Sequence, residues 1–349
     1  MKILLPAHQH SDGGIGTLVR GLVASLPDAL EGKGELVVLG GARRSTSVGS
    51  TAARLQRVMF EQFDLARAAR RVDLVHLCDH RPILASRTPF VMTIHDVLFL
   101  DHPEWFPPAV ARYKAAMLRT ALKRRPQAVA CVSDYTRSRL IHHYPEASEI
   151  SVVILNGVER SEAVPAGEGA SYFLTVSTIE PRKNHLLLLE AFRRAKAAGF
   201  ELRWKIVGAP GYLSRPIINA LRAEPGVDVL GHVPEDSLDR LYRDARFVAS
   251  PSLAEGFGFP PLEAMTRGAP VVCSQGSSFD EVVADAGLRV PATDADAWSE
   301  ALRRLQDDDD LVGELRARGL ARSTAFPWQA AARAYVELYE RPAGLKPAS

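Results

Sequence analysis

Three cysteines in 349 residues, Cys78, Cys131 and Cys273, are too few and too far apart for a disulfide framework. Each lies inside an apolar strand-like run, so buried reduced thiols are expected, not metal ligands or a nucleophile. Nowhere do eighteen uncharged apolar residues run together, and the apolar stretch after Lys2 is too short for the core of a signal peptide. A cytoplasmic protein is expected on that ground. The ten histidines show no zinc-ligand spacing, and His142-His143 falls on a helical stretch among polar neighbours. Neither a Gly-x-Ser-x-Gly elbow nor a Walker loop is present. Asp294-Ala295-Asp296 and the run Asp307 to Asp310 imitate a metal motif, but both precede helical patterns, where aspartates cap the helix and complement its dipole. No metal site is expected, and no nucleic-acid partner.

An apolar fraction of 46% is ample for real cores, and the length suggests at least two domains. The formal net charge of +2 hides an asymmetry. Residues 1–160 hold 21 Lys and Arg against 15 Asp and Glu, and the remainder 22 against 26, so the halves carry +6 and −4. Within the first half, the stretch 109–126 has six cations, Arg112, Lys114, Arg119, Lys123, Arg124 and Arg125, and no acid. It reads either as a contact with anionic lipid headgroups or a phosphate-bearing acceptor, or as a basic solvated helix face.

Short β-rich runs alternate with helical periodicity along the chain. They fall at Lys2–Pro6, Leu36–Gly40, Asp73–Cys78, Phe90–His95, Ala128–Ser133 and Ile150–Leu155. The pattern restarts at Tyr172–Ser177, Arg203–Gly208, Val227–Leu230, Arg246–Ser250, Pro270–Ser274 and Leu288–Val290. Such alternation predicts an α/β chain of two Rossmann-like, doubly wound parallel-sheet domains. The polar, aperiodic stretch 156–170 reads as the linker, with the boundary near Ser161. The expected domains are 1–160, 161–326 and a closing helical segment, 327–345.

Open parallel sheets bind ligands at the carboxyl ends of their strands. The unusual residues fall there: Gly13-Gly14-Ile15-Gly16 after the first strand, His95-Asp96 after the fourth and Ser133 after the fifth. Glu180-Pro181-Arg182-Lys183-Asn184 follows the seventh, and Glu255 to Glu263 the tenth. Two such sheets facing each other would gather them around one cleft. Adjacent Arg182 and Lys183 near a helix start form a cationic site for a diphosphate. The glycines after the first strand lack the full dinucleotide spacing, and no acid ends the second strand, so a nicotinamide site is not expected.

The most informative segment is Glu255-Gly256-Phe257-Gly258-Phe259-Pro260-Pro261-Leu262-Glu263. Gly256 and Gly258 let backbone approach a ligand closely, and Pro260-Pro261 can open a helix whose amides favour a phosphate. Two carboxylates beside such a site point to neutral hydroxyls on a sugar and a ribose.

With seven residues between its glutamates, this segment resembles the family 4 glycosyltransferases of the GT-B fold, and the resemblance spans roughly residues 2 to 340. Ile94-His95-Asp96 and Pro181-Arg182-Lys183-Asn184 look like the subgroup holding many bacterial mannosyl- and rhamnosyltransferases of surface-glycan assembly. The resemblance implies retaining, metal-independent transfer of a hexosyl unit from a nucleoside diphosphate sugar to a hydroxyl of a glycan or lipid-linked glycan. A GDP-sugar is favoured over a UDP-sugar as co-substrate, with no other cofactor. By the same resemblance His95 and Glu255 are catalytic. Gly14, Arg182, Lys183, Val233, Gly256, Phe257, Gly258, Phe259, Leu262 and Glu263 bind the donor, and Gly13, Gly16 and Ser133 the acceptor. The last helix would cross back onto the N-terminal domain, and the basic 109–126 helix would make a peripheral contact at the inner face of the cytoplasmic membrane. Thr178 departs from the family, in which many members carry an arginine there. A hydrolysing sugar-nucleotide epimerase of the same fold and a non-catalytic nucleotide-sugar-binding partner are the alternatives.

Overall fold

A computed structural model describes residues 1–7, 13–40, 60–159 and 170–341. His8 to Asp12 and the expected boundary near Ser161 lie outside the described residues, as do residues 342–345 of the closing segment. The chain divides into two compact units. Unit 1 takes Met1–Pro103, Pro108–Gly157 and the segment from Pro327 onward; unit 2 takes Glu104–Pro107 and Val158–Phe326.

Unit 1 carries β1 (Lys2–Pro6), β2 (Glu35–Leu39), β3 (Leu74–Leu77), β4 (Phe90–Ile94), β5 (Ala128–Cys131) and β6 (Ser151–Val153). They form one parallel sheet in the order β2-β1-β3-β4-β5-β6. Unit 2 carries β7 (Tyr172–Val176), β8 (Arg203–Val207), β9 (Val227–Gly231), β10 (Val248–Ser250), β11 (Val271–Ser274) and β12 (Leu288–Val290). Its sheet is also parallel, in the order β12-β11-β10-β7-β8-β9. The inner strands β3, β5, β10 and β11 are buried along their whole length. Helices cover both faces of such sheets, which is why these strands are mostly apolar and show no regular polar alternation.

In unit 2 the direction of strand progression reverses between β7 and β10, the doubly wound order with its switch point at that pair. Below the sheet, Phe173 stacks on Trp204 and on Phe247, with ring centroids 5.6 and 5.1 Å apart. All three side chains are fully buried and belong to the apolar core of this unit.

The closing helix Trp328–Glu340 belongs to unit 1. Trp328 lies so close to Gly21 and Gly157 that a Cβ on either would sit 2.2 or 2.5 Å from it. Further along, the buried His76 of β3 meets the Tyr339 hydroxyl through Nδ1 at 2.7 Å and Thr93 of β4 through Nε2 at 2.8 Å. Thr93 in turn meets the Tyr335 hydroxyl at 2.9 Å. Burial pulls the His76 imidazole down to about 3, so it is neutral and both nitrogens are satisfied. The apolar stripe of this helix is legible in the sequence; the polar network that seats it is not.

Candidate active site

In unit 2, the chain leaves β7 through Ser177 and reaches a single 3-10 turn, Pro181–Lys183. Arg182 and Lys183 lie just before a helix start, as the sequence pattern predicts. Asn184 adopts a left-handed conformation (φ +57°) and joins their turn to the helix His185–Ala197. The Asn184 amide nitrogen donates to the carbonyls of Pro251 and Ala292, at 3.1 and 2.7 Å, and fixes that turn against the β10 loop. Leu253 N donates to Arg182 O at 2.9 Å, so the two loops are joined through backbone as well.

This join brings three of the predicted residues into contact. Arg182 Nη1 donates to Glu255 Oε2 at 3.0 Å, and the Lys183 ammonium donates to Glu255 Oε1. Arg182 Nη2 also pairs with Glu180 Oε1 at 2.7 Å. Burial pushes the Glu255 carboxyl up, but Lys183 and Arg182 outweigh it and hold the group at about 2. Burial also pulls the Lys183 ammonium down, against the pull of Glu255. The motifs taken one by one assign the cations to a phosphate and Glu255 to a sugar, as separate contacts. In the structure they neutralise one another.

The Gly256–Gly258 loop is held from beneath. The fully buried Ser278 hydroxyl lies 2.9 Å from Glu255 O and 2.8 Å from Phe257 O, two carbonyls that share its proton. Phe257 packs edge-on to Phe259 at 5.1 Å. Gly258, with φ +108°, caps the helix Phe259–Thr266, and a Cβ there would meet the Phe279 ring at 2.7 Å. Only glycine suits both conditions. Glu263, one turn into that helix, accepts from the buried Tyr242 hydroxyl at 2.9 Å. Leu262 has no exposed surface, so its place is in the core beneath the loop. Val233 is half-buried in the loop between β9 and the helix Glu235–Arg243.

In unit 1, His95 follows β4 and its Nε2 lies 3.0 Å from Cys78 O, at the end of β3. Its own carbonyl accepts from the Thr136 hydroxyl at 3.2 Å. Burial lowers the imidazole's pKa, more than the Cys78 carbonyl, Asp96 and Asp79 raise it. Asp79 is itself buried and holds Arg81 at 2.6 Å. Ser133 is fully buried, and its hydroxyl caps the helix Asp134–His143 by accepting from Thr136 N at 3.0 Å. That capping geometry points the hydroxyl at backbone. Gly13, Gly14 and Gly16 form the first turn of the helix Gly13–Ala29; Gly13 and Gly14 are exposed and Gly16 is buried.

Asp294 accepts from the backbone amides of Asp296 and Ala297, and Asp308 from that of Leu311. Both are helix caps. Among the described residues, no helix is long and apolar enough to cross a membrane.

Residues 13–162 match the family described as Glycosyltransferase Family 4, and residues 159–321 that described as Glycosyl transferases group 1. An Escherichia coli protein named O-antigen chain mannosyltransferase B is 33% identical over 269 residues, which cover 72% of this chain and 70% of that one. The chain belongs to the group 1 glycosyltransferases. As such it transfers a glycosyl unit. The O-antigen chain mannosyltransferase RfbU of Salmonella typhimurium is 29% identical over 66% of this glycosyltransferase and 64% of its own length. Among solved structures, Anabaena Alr3699/HepE in complex with UDP and glucose superposes with a TM-score of 0.74 at 18% identity, covering 97% of this chain and 99% of that one. Sucrose-phosphate synthase from Thermosynechococcus elongatus superposes at 0.75, also at 18% identity, covering 97% and 98%. At that identity the likeness is one of fold, and both fit the two-sheet GT-B arrangement of this glycosyltransferase.

Proposed function

We propose that this glycosyltransferase is a retaining, metal-independent hexosyltransferase that takes mannose, or a deoxyhexose such as rhamnose, from a GDP-sugar to a hydroxyl of a glycan or lipid-linked glycan. The observation that carries the reading is the convergence of Arg182, Lys183 and Glu255 at the β7/β10 switch point. Two cations beside a glycine loop suit a diphosphate leaving group, and stabilising charge where it develops is the greatest help such a site can give the reaction. Glu255 would then accept from the hexose hydroxyls, Glu263 from the ribose, and Val233 would meet the base through its main chain. No second carboxylate is needed as a nucleophile in this scheme. The leaving phosphate takes the acceptor proton on the face from which it departs, which retains the anomeric configuration.

His95 fits a polar, uncharged role. With Nε2–H donated to Cys78 O, its Nδ1 is an acceptor in the neutral ring, suited to a sugar hydroxyl. The mannosyltransferase names of the two bacterial relatives favour mannose as the transferred sugar. The HepE structures with UDP and with UDP-glucose keep a UDP-sugar as the second reading.

Calorimetry of the purified protein with GDP, UDP, ADP and dTDP in EDTA tests the donor class. Tight binding of one nucleotide, weakened by about 1.5–3 kcal/mol in Lys183→Ala as for a charge-assisted contact, is expected. Binding that requires magnesium, or that is indifferent to Lys183, would refute the site.

A further inference from the structure

Glu255 meets the two cations with one oxygen each. A carboxylate that spans an arginine and a lysine in this way imitates two oxygens of a phosphoryl group. Its backbone is pinned by Ser278, and that of Arg182 by Leu253, and the Ser252 hydroxyl also bonds the carboxylate. Glu180 pairs with the other terminal nitrogen of Arg182.

We infer that Glu255 is an internal competitor for the diphosphate site, displaced when a nucleoside diphosphate sugar binds and returning to Arg182 and Lys183 as the nucleoside diphosphate leaves after transfer. The inference rests on reading Arg182 and Lys183 as the diphosphate site. Three physical steps support it. A diphosphate carries more than one negative charge and outcompetes a single carboxylate, whereas a singly charged anion does not. Once displaced, Glu255 stands largely desolvated beside a like charge, an arrangement that is costly unless it finds donors. The hydroxyls of a donor sugar are such donors. A bare nucleoside diphosphate lacks them, so it displaces the carboxylate without that compensation and binds less tightly than the donor. Glu255 thus weakens binding of the bare diphosphate and favours the sugar-bearing form.

The test is calorimetry with inorganic pyrophosphate, GDP and UDP on the wild type, Glu255→Gln, Glu180→Gln and Lys183→Ala. Removing the competing charge at Glu255 should tighten pyrophosphate and the preferred nucleotide roughly tenfold, equivalent to about 1.4 kcal/mol. Glu180→Gln should act in the same direction with smaller size, and gives a second reading if Glu255→Gln does not fold. Lys183→Ala should weaken binding of the same ligands. Unchanged or weaker binding in both glutamine variants, with Lys183→Ala still damaging, overturns the competitor role and leaves the diphosphate site standing. Binding indifferent to all three substitutions, or none by any of the four proteins, overturns the site and the inference together.

Discussion

His95 donates its Nε2–H to the carbonyl oxygen of Cys78 at 3.0 Å, tying the carboxyl end of β4 to that of β3. A carbonyl can only accept, so this contact selects the Nε2–H tautomer. Burial lowers the imidazole's pKa further. The ring should therefore stay neutral across the usual assay range, and the rate of transfer should show no acid limb near pH 6.5 that vanishes in His95→Asn. His95→Ala should abolish transfer and leave nucleotide affinity unchanged; wild-type turnover in that variant would remove His95 from the mechanism.

Tyr339→Phe deletes the hydroxyl that satisfies His76 Nδ1, leaving a buried polar atom without its partner. A loss of about 1–3 kcal/mol in urea unfolding is expected. Trp328→Ala, which empties the seat against Gly21 and Gly157, should cost about 3–5 kcal/mol. An unfolding curve unaltered by either would mean that the closing helix does not stabilise unit 1.

Four histidines are held neutral by burial: His76 and His185 at about 3, His80 at about 4, and His95 below the ordinary value of 6.5. Below about pH 6.5 the unfolded chain takes up protons that the native imidazoles refuse. Stability is therefore full above about 6.5 and is lost progressively as pH falls towards 3 to 4. Thermal melting between pH 8 and 4 should show the midpoint beginning to fall near 6.5. A midpoint flat down to pH 5 would contradict the assignment.

Ser278→Ala removes the hydroxyl shared by the Glu255 and Phe257 carbonyls. The loop then loses its anchor, and kcat should drop at least tenfold while the fold persists, as circular dichroism would report. Gly258→Ala faces both the positive φ and the Phe279 ring and should be more damaging still. Full activity in Gly258→Ala would show that the loop conformation is not required for transfer.

The basic helix Pro108–Lys123 exposes Arg112, Arg119 and Lys123 together with Val110 and Tyr113, whereas Arg124, just beyond it, donates to Ser86 O. Charge reversal at Arg112, Arg119 and Lys123 should lower sedimentation with phosphatidylglycerol vesicles but not with phosphatidylcholine vesicles. Equal sedimentation by wild type and variant would leave this face a solvated one.

All twelve strands lie where the sequence places them, within two residues at each end. Strands buried on both faces are mostly apolar runs, and that signal is local. The Glu255–Glu263 segment and Pro181–Asn184 are legible for the same reason, since each is a short motif beside a strand end. Contacts between distant segments are not. Lys183 and Glu255 are 72 residues apart, and His76 and Tyr339 are 263 apart. Their meeting depends on strand order, which no single segment encodes. Ser278 carries no local signal, being one serine in a Ser277-Ser278 pair. Position after a strand also does not reveal orientation, as the buried Ser133 cap and the buried Leu262 illustrate.

The most direct test of the proposed activity is transfer itself, followed by NMR of the new glycosidic linkage. Purified protein would be incubated in EDTA with GDP-mannose or UDP-glucose and lipid-linked glycan extracted from bacterial membranes, beside Glu255→Gln. Mannosyl transfer is expected, with the donor's anomeric configuration kept, no need for metal, and no product from Glu255→Gln. Inversion at the anomeric carbon, a strict metal requirement, or wild-type turnover in Glu255→Gln would contradict the proposed mechanism.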